Sequence, residues 1–328
     1  MADLDLTELA AKAADGDRDA LEVLCRETQH LVYRLSLRFY SSRPDAEDVT
    51  QDIMVKVITN LGSFEGRAKF TTWVYTIASR HLLASKRKLV EDSVAGAEPF
   101  GKWLDANLGG SEPEVGSDIE YRELCSEIRL GCTHGMLLCL TRDHRIAYLL
   151  GDLVGFSAVE AADVLEITPA TFRQRLARAR RTMRSVIENR CGLLVETNPC
   201  RCEIQIRPSI SAGILDPNNL AFTKHPGVDT PVTVDSLRRA TGQLDKATAI
   251  AEIFLAQPDY ADPDKISGPA PTYLPLEDGV QSRLGAGDSA RQEVCAALSR
   301  LLVLCPGPAL ACLAPLSVLL TDVLLQDP

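Results

Sequence analysis

Residues 45–88, DAEDVTQDIMVKVITNLGSFEGRAKFTTWVYTIASRHLLASKRK, decide how this chain is read: an acidic helix start, a glycine-punctuated basic loop with aromatics and a basic helix end follow one another. Pro44 and Asp45 form a start signal, and Val49, Ile53 and Val57 recur at helical spacing, so the acidic half is expected to be a helix. Carboxylates also favour the positive end of a helix dipole, which by itself could account for Asp45, Glu47 and Asp48. Gly62 to Lys69 then make a loop that runs into Phe70, Thr71, Thr72, Trp73, Val74 and Tyr75. A second helix is expected there, capped by Thr71 or Thr72, with Trp73 and Ile77 on one face and His81, Lys86, Arg87 and Lys88 at its end.

Aromatics beside cations suit single-stranded nucleic acid, because cations meet phosphates while aromatic faces receive unstacked bases. Core packing is the competing account of Phe70, Trp73 and Tyr75, and for Trp73 it is the better one. The preceding loop is then the part that would touch a base.

A second module follows. His144 to Leu153 is apolar-periodic, and Ser157, Ala158, Val159 and Glu160 form a capping-box start for a short helix through Ala161, Ala162 and Leu165. Glu166, Ile167 and Thr168 make a turn, and Pro169 opens the next helix at a position that suits proline. On that helix Phe172, Leu176, Ala179 and Met183 share one side, with Ala170, Thr171, Gln174, Arg178 and Arg181 opposite. Six arginines and no acid lie between Arg173 and Arg184. Guanidinium groups grip phosphates or bond a guanine edge in two places, so this helix is expected to enter a major groove.

The first stretch resembles the second region of the extracytoplasmic-function sigma factors of the sigma-70 family, and the helix-turn-helix resembles their fourth region. The resemblance implies that Asp45, Glu47, Asp48, Gln51 and Asp52 face core RNA polymerase. By the same match Phe64, Arg67, Lys69, Phe70, Trp73, Arg80, His81, Lys86 and Arg87 line the side that captures and melts the promoter's minus-ten element. Thr168, Thr171, Arg173, Gln174, Arg175 and Arg178 become the readout candidates for the minus-thirty-five duplex, with Arg181 and Arg184 on phosphate. Two departures stand out: the family's usual Asn near His81 and Asp near Ser85 are absent, and Glu166 replaces the glycine of the turn, where positive φ would strain it.

The expected architecture is all-α: region 2 over 1–88, a flexible acidic linker over 89–120, region 4 over 121–190, and a helical or irregular C-terminal extension over 191–328. The linker carries eight acids against Lys102 alone and is broken by glycines and prolines, as a solvated connector would be. A net charge of −10 argues against a nonspecific DNA coat, so DNA binding must be local. Asp3, Asp5 and Glu8 stand where a signal peptide would be basic, so a cytoplasmic protein is expected.

Ten cysteines in such a protein suggest thiols or metal ligands rather than disulfides. Cys25, Cys125 and Cys139 fit as small buried hydrophobes. Cys191, Cys200 and Cys202 cluster just past the arginine helix and could bind zinc with a fourth ligand from Cys132 or His225, or form a redox-sensitive group, or simply be structural. In the extension, Val234 to Ala256 shows a helix-like pattern through Leu237, Leu244, Ile250 and Phe254. The uncharged run 301–321 is interrupted by Pro306, Gly307, Pro308 and Pro315, so packing on the body is favoured over a membrane span. No phosphate-cradling loop, GxSxG or HExxH occurs, so no enzyme is expected. The expected partners are core polymerase and promoter DNA, with control by an anti-sigma factor or by the extension itself. The alternatives are a helix-turn-helix regulator that never engages polymerase and a metal- or thiol-responsive regulator.

Overall fold

A computed structural model describes residues 5–86, 91, 96–108, 118–224, 237 and 246–257. Among these it is all-α, the one isolated β-bridge joining Cys191 and Cys200.

Helices α1 (Leu6–Ala14), α2 (Arg18–Tyr40), α3 (Arg43–Thr59) and α4 (Phe70–Ala84) form the first bundle. Local chemistry sets most of their starts. Asp5 accepts from the backbone N–H of Thr7 and Glu8 to cap α1, and Asp17 accepts from Ala20 N–H to cap α2. For α3, Pro44 sits in the first turn as expected. The cap of α4 differs from expectation. The helix begins at Phe70, before Thr71 and Thr72, and the Phe70 N–H donates instead to Thr7 Oγ1 at 3.2 Å. A residue 63 positions away supplies the acceptor because α1 packs beside the start of α4, a relationship local spacing does not reveal.

Helix α5 (Ala97–Ala106) falls inside the stretch read as a flexible acidic connector. Phe100, Trp103 and Leu104 give it an apolar stripe that the acid count concealed, and Leu104 is buried. Arg190 clamps it with a two-pronged ion pair to Asp105 at 2.8 and 2.9 Å.

The second bundle contains α6 (Asp118–Leu138), α7 (Arg142–Tyr148) with a π turn over Leu149–Leu153, α8 (Ala158–Leu165) and α9 (Pro169–Ile187). The expected capping box is formed: Ser157 Oγ accepts from Glu160 N–H while Glu160 accepts from Ser157 N–H. Thr168 Oγ1 accepts from Thr171 N–H to cap α9, and Phe172, Ala179 and Met183 are buried while Leu176 is half-buried. A Cβ on Gly151 would lie 2.9 Å from Leu176 Cδ2, so this glycine lets α9 approach the π turn.

Beyond α9 come α10 (Ile206–Ser211) and α11 (Lys246–Leu255), the latter inside the expected helical pattern. One hydrophobic cluster contains residues of both bundles and of α11. The expectations for Arg87, His225, Leu244 and the run 301–321 lie outside the described residues. Among the described residues, no helix is long and apolar enough to cross a membrane.

Candidate functional site

The two faces of α3 are chemically opposite. Val49, Ile53 and Val57 point into the bundle, whereas Asp48, Gln51 and Asp52 are exposed. Asp45 and Glu47 are half-buried, and Glu47 pairs with Arg43 at 2.8 Å. Val55 continues the exposed acidic row at helical spacing and is 53% exposed. The sequence reading missed it, although its position seven residues after Asp48 was the available signal. A protruding valine among carboxylates makes this a surface suited to a partner with a basic rim and an apolar contact.

The loop between α3 and α4 holds exposed Arg67 and Lys69 around Gly66, whose φ is +69°. Arg67 pairs with Glu65. Phe64 packs edge-on to Phe70 at 5.3 Å and near Trp73 at 5.5 Å. Phe70 is 1% exposed and belongs to the core, while Phe64 and Trp73 are half-buried. Of the candidates on this side, then, Arg67, Lys69, Arg80 and Lys86 are exposed and Phe70 is covered. His81 is half-buried, 3.7 Å from Asp52. Burial and the Lys56 charge hold its pKa below the usual histidine value against the opposing pull of Asp52.

On α9 the arginines divide into two groups. Arg180 reaches back to Asp152 on the π turn, with Nε 3.0 and 3.2 Å from the carboxylate oxygens, and Arg175 pairs with Asp143 at 2.9 Å. Arg173, Gln174, Arg178, Arg181 and Arg184 are exposed, and among the described residues none of the four arginines makes an ion pair. Thr168 and Thr171 share a hydroxyl hydrogen bond at the start of the helix. Arg175, a readout candidate by sequence, is thus held by a neighbouring helix, whereas Arg178 is presented outward.

The bundles are joined by more than chain. Tyr75 of α4 packs edge-on against Phe156 at 5.2 Å, and Arg80 of α4 binds Glu166 in the turn between α8 and α9. Deeper in, Glu91 from the connector is 2% exposed and is held by Arg142 and Arg145. Arg145 also donates to the carbonyl of Phe39 at 2.6 Å, and Arg142 to that of Leu82 at 3.2 Å, both in the first bundle. The two bundles therefore touch directly as well as through the connector.

The cysteine cluster is partly gathered. Cys191 and Cys200 are bridge partners, with Gly192 N–H donating to the Cys200 carbonyl at 3.0 Å and Cys200 N–H to that of Arg190 at 3.0 Å. With Cys132 and Cys202 they line a cavity of about 840 Å³ beside α6. Burial pushes the Cys200 thiol up to about 11, and burial raises Cys132 and Cys202 well above the ordinary value, each further raised by neighbouring cysteines. Such thiols stay protonated near neutrality. Among the described residues, no three His, Cys, Asp or Glu side chains are grouped to hold a metal ion.

Comparison with known proteins follows the same division. The family described as Sigma-70 region 2 matches residues 24–90, and Sigma-70, region 4 matches residues 130–183. The RNA polymerase sigma-H factor of Pseudomonas aeruginosa is 31% identical over 188 residues, spanning 55% of this chain and 93% of that relative. The ECF RNA polymerase sigma-E factor of Escherichia coli K12 is 30% identical over 184 residues, again 55% of this chain and 93% of the relative. A solved structure described as CnrH in complex with the cytosolic domain of CnrY is 20% identical, covers 56% of this chain and 98% of that one, and has a TM-score of 0.42.

Proposed function

Because this chain belongs to the extracytoplasmic-function sigma factors of the sigma-70 family and directs transcription initiation by RNA polymerase, we propose which of its surfaces perform each task. The exposed row Asp48, Gln51, Asp52 and Val55 docks on core polymerase, with Asp45 and Glu47 at its edge. Arg67, Lys69, Arg80 and Lys86 hold the melted strand, and Phe64 or Trp73 can offer a ring face to an unstacked base if the loop shifts. Arg178 and Gln174 read the duplex element from the major groove, with Arg173, Arg181 and Arg184 on the phosphates.

The observation that carries this assignment is the division of charge between the outer face of α3 and the outer face of α9. Carboxylates with one exposed valine occupy the first; exposed guanidinium groups occupy the second. Sigma factors are initiation factors, so the chemistry of RNA synthesis belongs to the polymerase, and the place of action on this reading is the cytoplasm. Control falls either to a separate anti-sigma protein or to the C-terminal extension.

The test is reconstitution of sigma-free core polymerase with the purified chain on a library of promoter templates. Template-specific starts are expected, and they should disappear in the Asp48→Arg, Asp52→Arg double variant. Starts that persist in that variant would remove α3 as the docking face.

A further inference from the structure

The segment after α9 touches both bundles at once. Glu127 on α6, 6% exposed, accepts from the backbone N–H groups of Ala221 at 2.7 Å, Phe222 at 3.0 Å and Thr223 at 2.7 Å, and from the Thr223 hydroxyl at 2.9 Å. One carboxylate thereby organises a tight turn of the tail, as a buried anion needs several donors to be tolerated. The turn aims Phe222 between the bundles. Its ring stacks on His134 of α6 at 4.4 Å and packs against Tyr33 and Leu37 of α2 and Ala46 of α3.

A second crossing lies at the end of α11. Gln257, 6% exposed, donates through Nε2 to Thr133 Oγ1 of α6 at 2.7 Å and accepts through Oε1 from Arg38 Nε of α2 at 3.3 Å. Phe254, fully buried, meets Tyr148 of α7 edge-on at 5.7 Å. The two crossings come from stretches of the tail more than 30 residues apart, yet both span the same pair of helices, α2 and α6.

Reading two promoter elements demands the opposite arrangement. Elements about 25 base pairs apart are separated by about 85 Å of duplex at 3.4 Å per step, whereas here α4 and α8 are neighbours. The Arg80 guanidinium, proposed for the melted strand, is meanwhile occupied by Glu166.

We infer that the described stretches 191–224 and 246–257 form an internal strap that holds regions 2 and 4 closed against each other, so that polymerase and DNA must displace it before both regions can bind. This inference rests on the sigma-factor reading for its consequence, but not for its geometry. A strap of this kind taxes activity by the fraction of molecules that are open.

The experiment uses the full chain with paired bio-orthogonal fluorophores at exposed Lys56 on α3 and Ser185 on α9, in the parent protein and in the Gln257→Leu and Phe222→Ala variants. The parent is expected to show one short separation. Each variant should populate a longer one and raise specific transcription at limiting core polymerase about tenfold, the factor that losing one buried polar or apolar contact is worth. Gln257→Leu keeps its bulk, so a folded protein is expected there even if Phe222→Ala loses helix. Unchanged separation in a folded Gln257→Leu protein, with transcription also unchanged, would overturn the strap. If the variants open while neither they nor the parent support transcription on any template, the strap stands and the sigma assignment of the surfaces falls.

Discussion

Arg80 on α4 and Glu166 in the helix-turn meet across the two bundles, with Arg80 Nε 3.0 Å from Glu166 Oε2. Glu166 holds a left-handed backbone with φ of 53°, a conformation glycine adopts at no cost and other residues adopt at about 1 kcal/mol. Both side chains are more than half exposed, so the ion pair returns at most about 1 kcal/mol. Glu166→Gly should therefore leave thermal stability within about 1 kcal/mol of the parent while freeing Arg80. Affinity for single-stranded minus-ten DNA should rise, by no more than a few fold. Unaltered affinity, measured by fluorescence anisotropy at fixed salt, would show that Arg80 is not on the DNA path.

Arg178 and Arg180 are two residues apart on α9 but have different surroundings. Arg178 is exposed, whereas Arg180 is committed to Asp152, whose hydrogen bonds, and then its charge, raise the guanidinium pKa further. Arg178→Ala should cost about 1–3 kcal/mol in binding the cognate duplex and relax preference at one base position. Arg180→Ala should instead loosen the seat of α9 on the π turn and weaken binding evenly across sequences. A competition assay over single-base operator variants separates the two, and equal losses on every sequence for Arg178→Ala would demote it to a phosphate contact.

What could be read from sequence was what local spacing determines. The Ser157–Glu160 box, Pro169 at the start of α9 and the Phe172, Ala179 and Met183 stripe lie within a few residues of the signals that specify them. The Thr7 cap on Phe70, the Gln257 link between Arg38 and Thr133, and the burial of Glu91 between two arginines depend on partners 50 or more positions away, and no period of 3.6 encodes those. Helix α5 was hidden for another reason. Its eight-acid setting suggested solvation, but three apolar residues on one face sufficed once α6 and α9 offered a surface. At the site, charge was legible and availability was not: Arg175, Phe70 and Val55 differ from expectation only in what surrounds them.

On α3, the docking proposal predicts a division between electrostatic and apolar contributions. Reversing Asp48 and Asp52 to arginine should abolish association with core polymerase, and any residual binding should lose its fall with salt or strengthen as salt screens the new repulsion. Val55→Ala should slow nothing in encounter yet hasten dissociation, since a short apolar contact acts mainly on the off-rate. Surface plasmon resonance on immobilised core enzyme distinguishes these. A Val55→Ala variant with unchanged dissociation would place the valine outside the interface.

His81 and His144 both have their pKa values held below the ordinary histidine range, first by burial and then by nearby cations, Lys56 for His81 and Arg178 for His144. The unfolded chain protonates these rings near pH 6.5 while the folded chain resists. Their contribution to stability is thus present above about 6.5 and is lost as pH falls through the depressed folded values. Urea midpoints measured between pH 7.5 and 5.0 should fall, and the His81→Gln, His144→Gln double variant should flatten that decline. An identical slope in the double variant would mean that other groups set the acid response.

Glu91, Arg142 and Arg145 make a further joint between the bundles, beside the crossings of the tail. Glu91 and Arg145 are each 2% exposed, and the arginines spend their remaining donors on carbonyls of Phe39, Leu82, Leu137 and Leu140. Their planar cations also lie over aromatic rings, Arg145 5.0 Å from the Phe39 centroid and Arg142 5.5 Å. Removing one partner from such a network leaves charge buried without its counterpart, which typically costs 3–5 kcal/mol, about as much as breaking any buried pair. Glu91→Ala should therefore lose about that much stability in chemical denaturation. Because the carbonyls of both bundles would still compete for two unpaired cations, water entry and separation of the bundles should accompany the loss. Hydrogen exchange resolves the consequence: amides of α7 and the end of α2 should open together, ahead of those in the middle of α9. Uniform exchange across all helices would indicate global destabilisation instead and deny the triad a special place at the joint.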